Sequence, residues 1–349
     1  MHLEHVEYLK RKLLQKVKGI PINLPYFRSF YKYFEKGHRI LLGADTNVGK
    51  SAAAIKFLIM DVIAFVNKSD EIDCKIYYFT LELNRKMILS RFYIYILNNS
   101  YKKEYDIDEI NNPTKQETID DLEMIAPIMA KIEEKLVIID SMATADGIYA
   151  YMKTEMAKHG VVGKHTDGSP KYTYHNENMY IFCIVDTINA LINSKSGSNY
   201  EEVKKWSEQY CKLYLGQVYE VICVNLAQFN NTVRTSQFAN QGFKIEEKHE
   251  PTLGHFGTVT TTPNDHTLVL SLFKPYNYGI SKHQGYDISR LKGNYIRLNI
   301  MKNSFGKVGP DITTHLFFEG EKGQFTEMPP ADQTAQMKPF YDKCALYGK

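Results

Sequence analysis

The run Gly43-Ala44-Asp45-Thr46-Asn47-Val48-Gly49-Lys50-Ser51 constrains this chain more than any other feature of it. It follows an apolar stretch at residues 39–43 and leads straight into SAAAIKFLIM, a helix-forming segment. A GxxxxGK[ST] run between a strand and a helix is built to hold a phosphate. Its glycines let backbone N–H groups curl around the anion, and the helix N-terminus adds its positive dipole. Lys50 then reaches the β- and γ-phosphates, and Ser51 can ligate Mg²⁺. Chance produces such a run in a chain of this size on the order of once in a hundred. The matching flanks argue further against a glycine-rich turn without chemical meaning.

The rest of the chain repeats that strand-and-helix grammar. Short apolar runs at residues 39–43, 75–81, 136–139, 181–186 and 219–225 read as strands. Helical patterns lie between them at 50–67, 85–98, 119–134, 147–159 and 200–215. Near-continuous apolar strands separated by helices predict a mostly parallel sheet covered on both faces. After Gln228 the pattern changes. Residues 268–273, 295–301 and 314–318 follow one another without helices, which predicts antiparallel strands added at one sheet edge. Residues 163–178 are polar and turn-rich, an inserted loop or hairpin. Residues 331–349 read as a weakly ordered tail.

Residues 1–18 stand apart. Leu3, Val6, Leu9, Leu13 and Val17 fall at helical spacing among lysines, and Gly19-Ile20-Pro21 stops the pattern. This amphipathic helix has an apolar stripe to bury, on its own core or on a neighbouring subunit. No apolar run is long enough to span a bilayer, so no membrane role is expected. The five cysteines are odd in number, scattered and without ligand spacing. They predict a reducing, cytoplasmic setting and no structural zinc. A net charge of +3 permits nucleic-acid binding without demanding it.

A phosphate loop of this kind needs a carboxylate at the end of a second buried strand to hold the Mg²⁺ shell. Two runs qualify: FCIVD, ending in Asp186, and LVIID, ending in Asp140. Asp140 could instead cap a helix at residues 142–151. Order favours Asp186, because a further strand follows it and ends in Gln228, a polar residue placed to sense a γ-phosphate. Glu82 closes the strand KIYYFTL at its carboxyl end, where ligands of such sheets sit. There it can orient a water for attack on the γ-phosphate, or it is a solvated helix-start residue interacting with the dipole.

The series GIP, GADTNVGKS, FTLELN with Arg91 nine residues after Glu82, FCIVDTINAL, VNLAQFN and NIMKNSFGKVG resembles the ATPase core of DnaB-type replicative DNA helicases. The resemblance covers roughly residues 19–320. It implies a RecA-like α/β core over residues 19–330, hydrolysing ATP with Mg²⁺ in a ring, as a hexamer, on single-stranded DNA. Unwinding in the 5′–3′ direction, a primase or loader as partner and a phage or mobile-element source belong to the same implication, with the host cytoplasm as location. By position, Gly43, Asn47, Val48, Gly49, Lys50, Ser51 and Arg91 would bind nucleotide, with Ser51 and Asp186 on the metal. Glu82 would be the catalytic base, and Gln228 would couple nucleotide state to the DNA-facing loops. Lys302 would reach the γ-phosphate of a neighbouring subunit, on which the helix of residues 1–18 would dock. The pore loops would be residues 193–200 and 230–263, giving Lys195, Arg234, Lys244 and Lys248 as candidate contacts to the DNA backbone.

Two departures stand beside the resemblance. The family's helical N-terminal domain is not seen in this sequence. Its late Lys-x-Arg motif is here Lys302-Asn303-Ser304, with Arg290, Arg297 and Lys307 as nearby substitutes for the missing arginine. An arginine finger is worth about 10³–10⁵ in rate in related phosphoryl transfer. A slow or inactive nucleotide-binding scaffold or virion component, and a recombination or partition ATPase, are therefore the alternatives to a motor.

Overall fold

A computed structural model describes residues 2–14, 17–165, 167–192, 198–230, 250–256, 262–308 and 312–346. Its frame is a nine-stranded sheet. The strands in it are β3 (Arg39–Ala44), β4 (Asp73–Thr80), β5 (Leu136–Ile139), β8 (Met179–Asp186), β9 (Ile222–Gln228), β10 (Leu268–Phe273), β13 (Tyr295–Asn303), β14 (Thr313–Glu319) and β15 (Gln324–Glu327). Their order is β15-β14-β13-β10-β3-β9-β8-β4-β5. Outside it, among the described residues, lie three two-stranded pairs: β1 (Ile20–Pro21) with β2 (Tyr33–Phe34), β6 (Gly160–Lys164) with β7 (Pro170–Tyr174), and β11 (Lys282–His283) with β12 (Tyr286–Asp287).

Alternation explains the unbroken apolar strands. Ile40, Leu42, Ile76, Tyr78, Phe182, Ile184, Val224 and Leu226 pack on one face, with the helical residues Ile55, Leu58, Phe92 and Ile96. Leu41, Tyr77, Phe79, Ile181, Cys183, Val185 and Cys223 pack on the other, with Ile148, Met152, Trp206 and Leu215. Both faces of a central strand are therefore core. All five cysteines are buried free thiols.

Several boundaries differ from the sequence reading. Leu268–Phe273 runs parallel to β3, with Leu268 opposite Ile40. It is the sixth parallel strand, on the far side of β3 from β9, and a parallel neighbour needs a crossover connection in place of a hairpin. Only β13, β14 and the unanticipated β15 are antiparallel. The single helix expected at 119–134 is two, Gln116–Met124 and Ala126–Lys135, the second opening on Pro127 in its first turn. The polar insertion is a hairpin, β6–β7.

Residues 331–346, the described part of the expected weakly ordered tail at 331–349, carry a packed helix. Thr334–Leu346 is a helix, and its Met337 and Cys344 are buried against Tyr286, Ile288, Leu291, Tyr295 and Phe317. Arg290 stacks on Tyr341 of the same helix, 4.0 Å from the ring centroid. Its composition is polar enough to read as tail, but its apolar residues meet a patch contributed by residues 286–295 and by Phe317 of β14. At the other end, His2–Leu14 is helical, with Leu9, Leu13 and Leu14 exposed at 48, 74 and 82%. Val17 packs on the core. Among the described residues no helix is long and apolar enough to cross a membrane.

Candidate nucleotide site

The carboxyl ends of β3, β4, β8 and β9 open onto a cleft of about 580 Å³. Asn47, Gly49, Lys50, Ser51, Glu82, Arg91, Asp186 and Gln228 all line it. Eight of the expected residues, spread over more than 180 positions of sequence, thus meet where open parallel sheets bind ligands.

The phosphate run has the backbone it needs. Asn47 and Gly49 take positive φ, 58° and 98°, and Lys50 starts the helix. A side chain at Gly49 would be strained in this conformation and would also lie 2.9 Å from the Phe318 ring. Val48 is not in the cleft. It is 1% exposed and anchors the run in the core. Gly43 does not line the cleft either.

Burial pushes the Lys50 ammonium down from its ordinary pKa, while Asp186, Glu82 and Asp45, in that order, pull it back up. An ammonium held among three carboxylates and partly withdrawn from water is a group that can pair with an incoming anion. Asp45 is itself held: Thr46 N–H donates to its Oδ1 at 2.8 Å, and Tyr278 OH donates to its Oδ2 at 3.2 Å.

The two acids are fixed by neighbours that the sequence does not advertise. Tyr78 OH donates to Asp186 Oδ2 at 2.5 Å, and burial beside that carboxylate drives the phenol pKa far up. Thr187 Oγ1 donates to Glu82 Oε1 at 3.0 Å. Leu81 N–H donates to Asp186 O at 2.8 Å, and Thr80 Oγ1 donates to Leu83 O at 2.7 Å, closing the turn that carries Glu82. Asn189 clamps the backbone of Gln228: Gln228 N–H donates to Asn189 Oδ1 at 2.7 Å. Gln228 lines the cleft at the end of β9.

Asp140 is elsewhere. Its Oδ2 accepts the Arg85 N–H at 2.8 Å, so it satisfies the first N–H of the helix Arg85–Ser100, whose N-cap is Asn84, and does not cap the helix after it. That following helix, Ala145–His159, is capped by Thr144, which accepts from Gly147 N–H at 3.1 Å. Ser51 and Asp186 suit a hard cation that takes one or two protein oxygens and completes its octahedron with water and phosphate. Among the described residues no group of three or more His, Cys, Asp or Glu side chains forms a metal cage.

Lys302 lies outside this cleft. It pairs with Val269, which sits beside Leu41 in the first half of β3, and its Nζ donates to the carbonyls of Pro263 and Asn264 at 3.0 and 2.9 Å. That turn precedes β10, so the ammonium points to the amino end of the parallel strands, away from its own phosphate run. Of the substitutes for a finger, Arg297 is interior at 2% exposure and bonds Thr313 and Glu250. Lys195, Arg234, Lys244 and Lys248 lie outside the described residues.

No family model matches the sequence, and no curated protein sequence matches it. Solved structures do. The solved ATPase domain of a helicase superposes with a TM-score of 0.67 at 16% identity, covering 94% of this chain and 98% of that one. A DnaB-like replicative helicase, described with its interactions with primase, superposes with a TM-score of 0.65 at 16% identity. The match covers 92% of this chain and 66% of the helicase. With this cleft at the carboxyl edge of its parallel strands, the chain has the RecA-like α/β fold of these helicase structures.

Proposed function

We propose that this chain is an ATP-driven motor that assembles as a ring, as a hexamer, on single-stranded DNA and unwinds duplex ahead of it in the 5′–3′ direction. One observation carries the reading: Lys50, Ser51, Glu82, Asp186 and Gln228 share one cleft, while Lys302 points away from it. This arrangement supports a phosphoryl-transfer site whose cis half lies in one chain, with Lys302 serving a different copy's nucleotide.

In this reading Lys50 and the backbone N–H groups of residues 47–51 bind the β- and γ-phosphates, and Arg91 flanks them. Ser51 and Asp186 would hold Mg²⁺, which neutralises charge developing on the phosphate oxygens. Glu82, aligned by Thr187, orients the attacking water and accepts its proton. Gln228, with its backbone held by Asn189, reports the γ-phosphate to the chain beyond β9. Lys195, Arg234, Lys244 and Lys248 contact the DNA backbone, and the stripe of residues 1–18 docks on the next protomer. A primase or loader, and the host cytoplasm as location, go with this role.

A second reading rests on Ser304, which stands where an arginine finger would. A RecA-like scaffold with little turnover, or a recombination or partition ATPase, keeps the fold and loses speed. Native mass measurement with and without ATP and single-stranded DNA separates the two. The motor assembles into rings under at least one condition, and a monomer under every condition contradicts it.

A further inference from the structure

Gly43 opens the phosphate run, but what forbids it a side chain is a pair of phenylalanines from outside that run. A Cβ at Gly43 would lie 2.4 Å from Cε1 of Phe256 and 2.5 Å from Cε1 of Phe229, closer than side-chain carbons approach. The two rings meet edge to face, with centroids 5.2 Å apart and planes at 86°. Both residues are buried, at 5% exposure for Phe229 and 2% for Phe256. Neither lines the cleft.

The segment that carries Phe256 is fastened on two sides. Asn230 N–H donates to His255 O at 2.9 Å, and Phe229 N–H donates to Ala44 O at 3.1 Å. Thr252 N–H donates to His255 Nδ1 at 2.8 Å, closing the turn. Glu250 accepts from His283 Nε2 at 2.9 Å and from Arg297. Residues 250–256 therefore form a braced wedge whose tip rests on the backbone of Gly43.

We infer that Phe256 is a positioning residue for the nucleotide site, holding Gly43 and the run behind it in the register that receives phosphate. The inference rests on the nucleotide-binding reading of the cleft and adds a route by which that site is regulated. Interiors packed at crystal density have no slack, so a shift of residues 250–256 is a shift of Gly43. Linkage makes the effect reciprocal: nucleotide bound in the cleft must restrain residues 250–256.

The test compares Mg–ADP binding to the parent chain, Phe256→Ala, Phe256→Leu and Lys50→Ala, with hydrogen exchange at the Asn230 amide of the parent. Phe256→Ala should bind Mg–ADP about 10–100-fold more weakly, the scale on which a small misplacement acts. Phe256→Leu should recover most of the loss. Mg–ADP should slow exchange of the Asn230 amide, a readout that needs no variant to fold. A merely structural Phe256 would lower the melting temperature and leave the affinity of the folded protein unchanged. Unchanged affinity in folded Phe256→Ala, or Asn230 exchange indifferent to Mg–ADP, overturns the inference and leaves the cleft a nucleotide site. A parent that binds Mg–ADP no better than Lys50→Ala removes both.

Discussion

Thr187 Oγ1 donates to Glu82 Oε1 at 3.0 Å, joining the residue after Asp186, the proposed metal ligand, to the carboxylate proposed as base. The bond spans β8 and the end of β4, so it sets where Glu82 points without adding charge. Glu82→Gln keeps the shape, loses the base, and should still bind ATP while turnover falls about 10²–10⁴-fold. Turnover at the parent rate would make Glu82 a solvated helix-start residue.

Asp186 and Asp140 end two similar strands and should behave differently. Asp186→Asn should reduce Mg²⁺-dependent hydrolysis severely. Asp140→Asn should leave hydrolysis intact and cost about 1 kcal/mol or less, because Asn accepts the Arg85 N–H nearly as well. Parallel turnover assays and urea melts of the two variants decide. Equal loss of turnover in Asp140→Asn would contradict the assignment of the metal to Asp186.

Lys302 cannot serve its own cleft from the amino end of the strands, which gives a complementation experiment. Lys50→Ala and Lys302→Ala should each be inactive alone. Mixed, they form junctions with one intact Lys50 facing one intact Lys302, and part of the ATPase activity should return. Mixed rings with no restored activity would argue against a shared site and for the scaffold.

Acid should weaken the fold through His38. Its Nδ1 accepts from Tyr31 OH at 2.5 Å, and burial, with Lys12 and Arg39 nearby, lowers its pKa to about 4. The unfolded chain, with the ordinary value near 6.5, binds more protons between those limits, so stability is lost as pH falls through that window. At pH 5 the loss from this group is about 2 kcal/mol relative to neutral pH. Denaturant midpoints at pH 7.5 and 5 should show it, and His38→Gln should flatten the difference. An unchanged slope in His38→Gln would place the acid sensitivity elsewhere.

The sheet and the phosphate run were legible because local pattern decides them. Apolar residues on both faces make unbroken strands, and the Gly49-Lys50-Ser51 turn carries its own conformational demand. What escaped is decided at a distance. β10 is parallel because its partner is β3, a strand more than 200 residues earlier, which no window of sequence contains. The helix Thr334–Leu346 is ordered by Tyr286, Tyr295 and Phe317, and its polar composition hides that. In the site, Glu82, Asp186 and Gln228 were readable as residue types at strand ends. Tyr78, Thr187 and Asn189, which hold them, read as ordinary strand and turn residues. Gly43 was readable as part of the run but for the wrong cause, since Phe256 lies more than 200 residues downstream.

Steady-state ATP hydrolysis by the full chain with Mg²⁺, measured as single-stranded DNA is added and set against Lys50→Ala, tests the motor most directly. The expected result is hydrolysis that Lys50→Ala abolishes and that single-stranded DNA accelerates. Hydrolysis no faster than that of Lys50→Ala at every DNA concentration would contradict the motor.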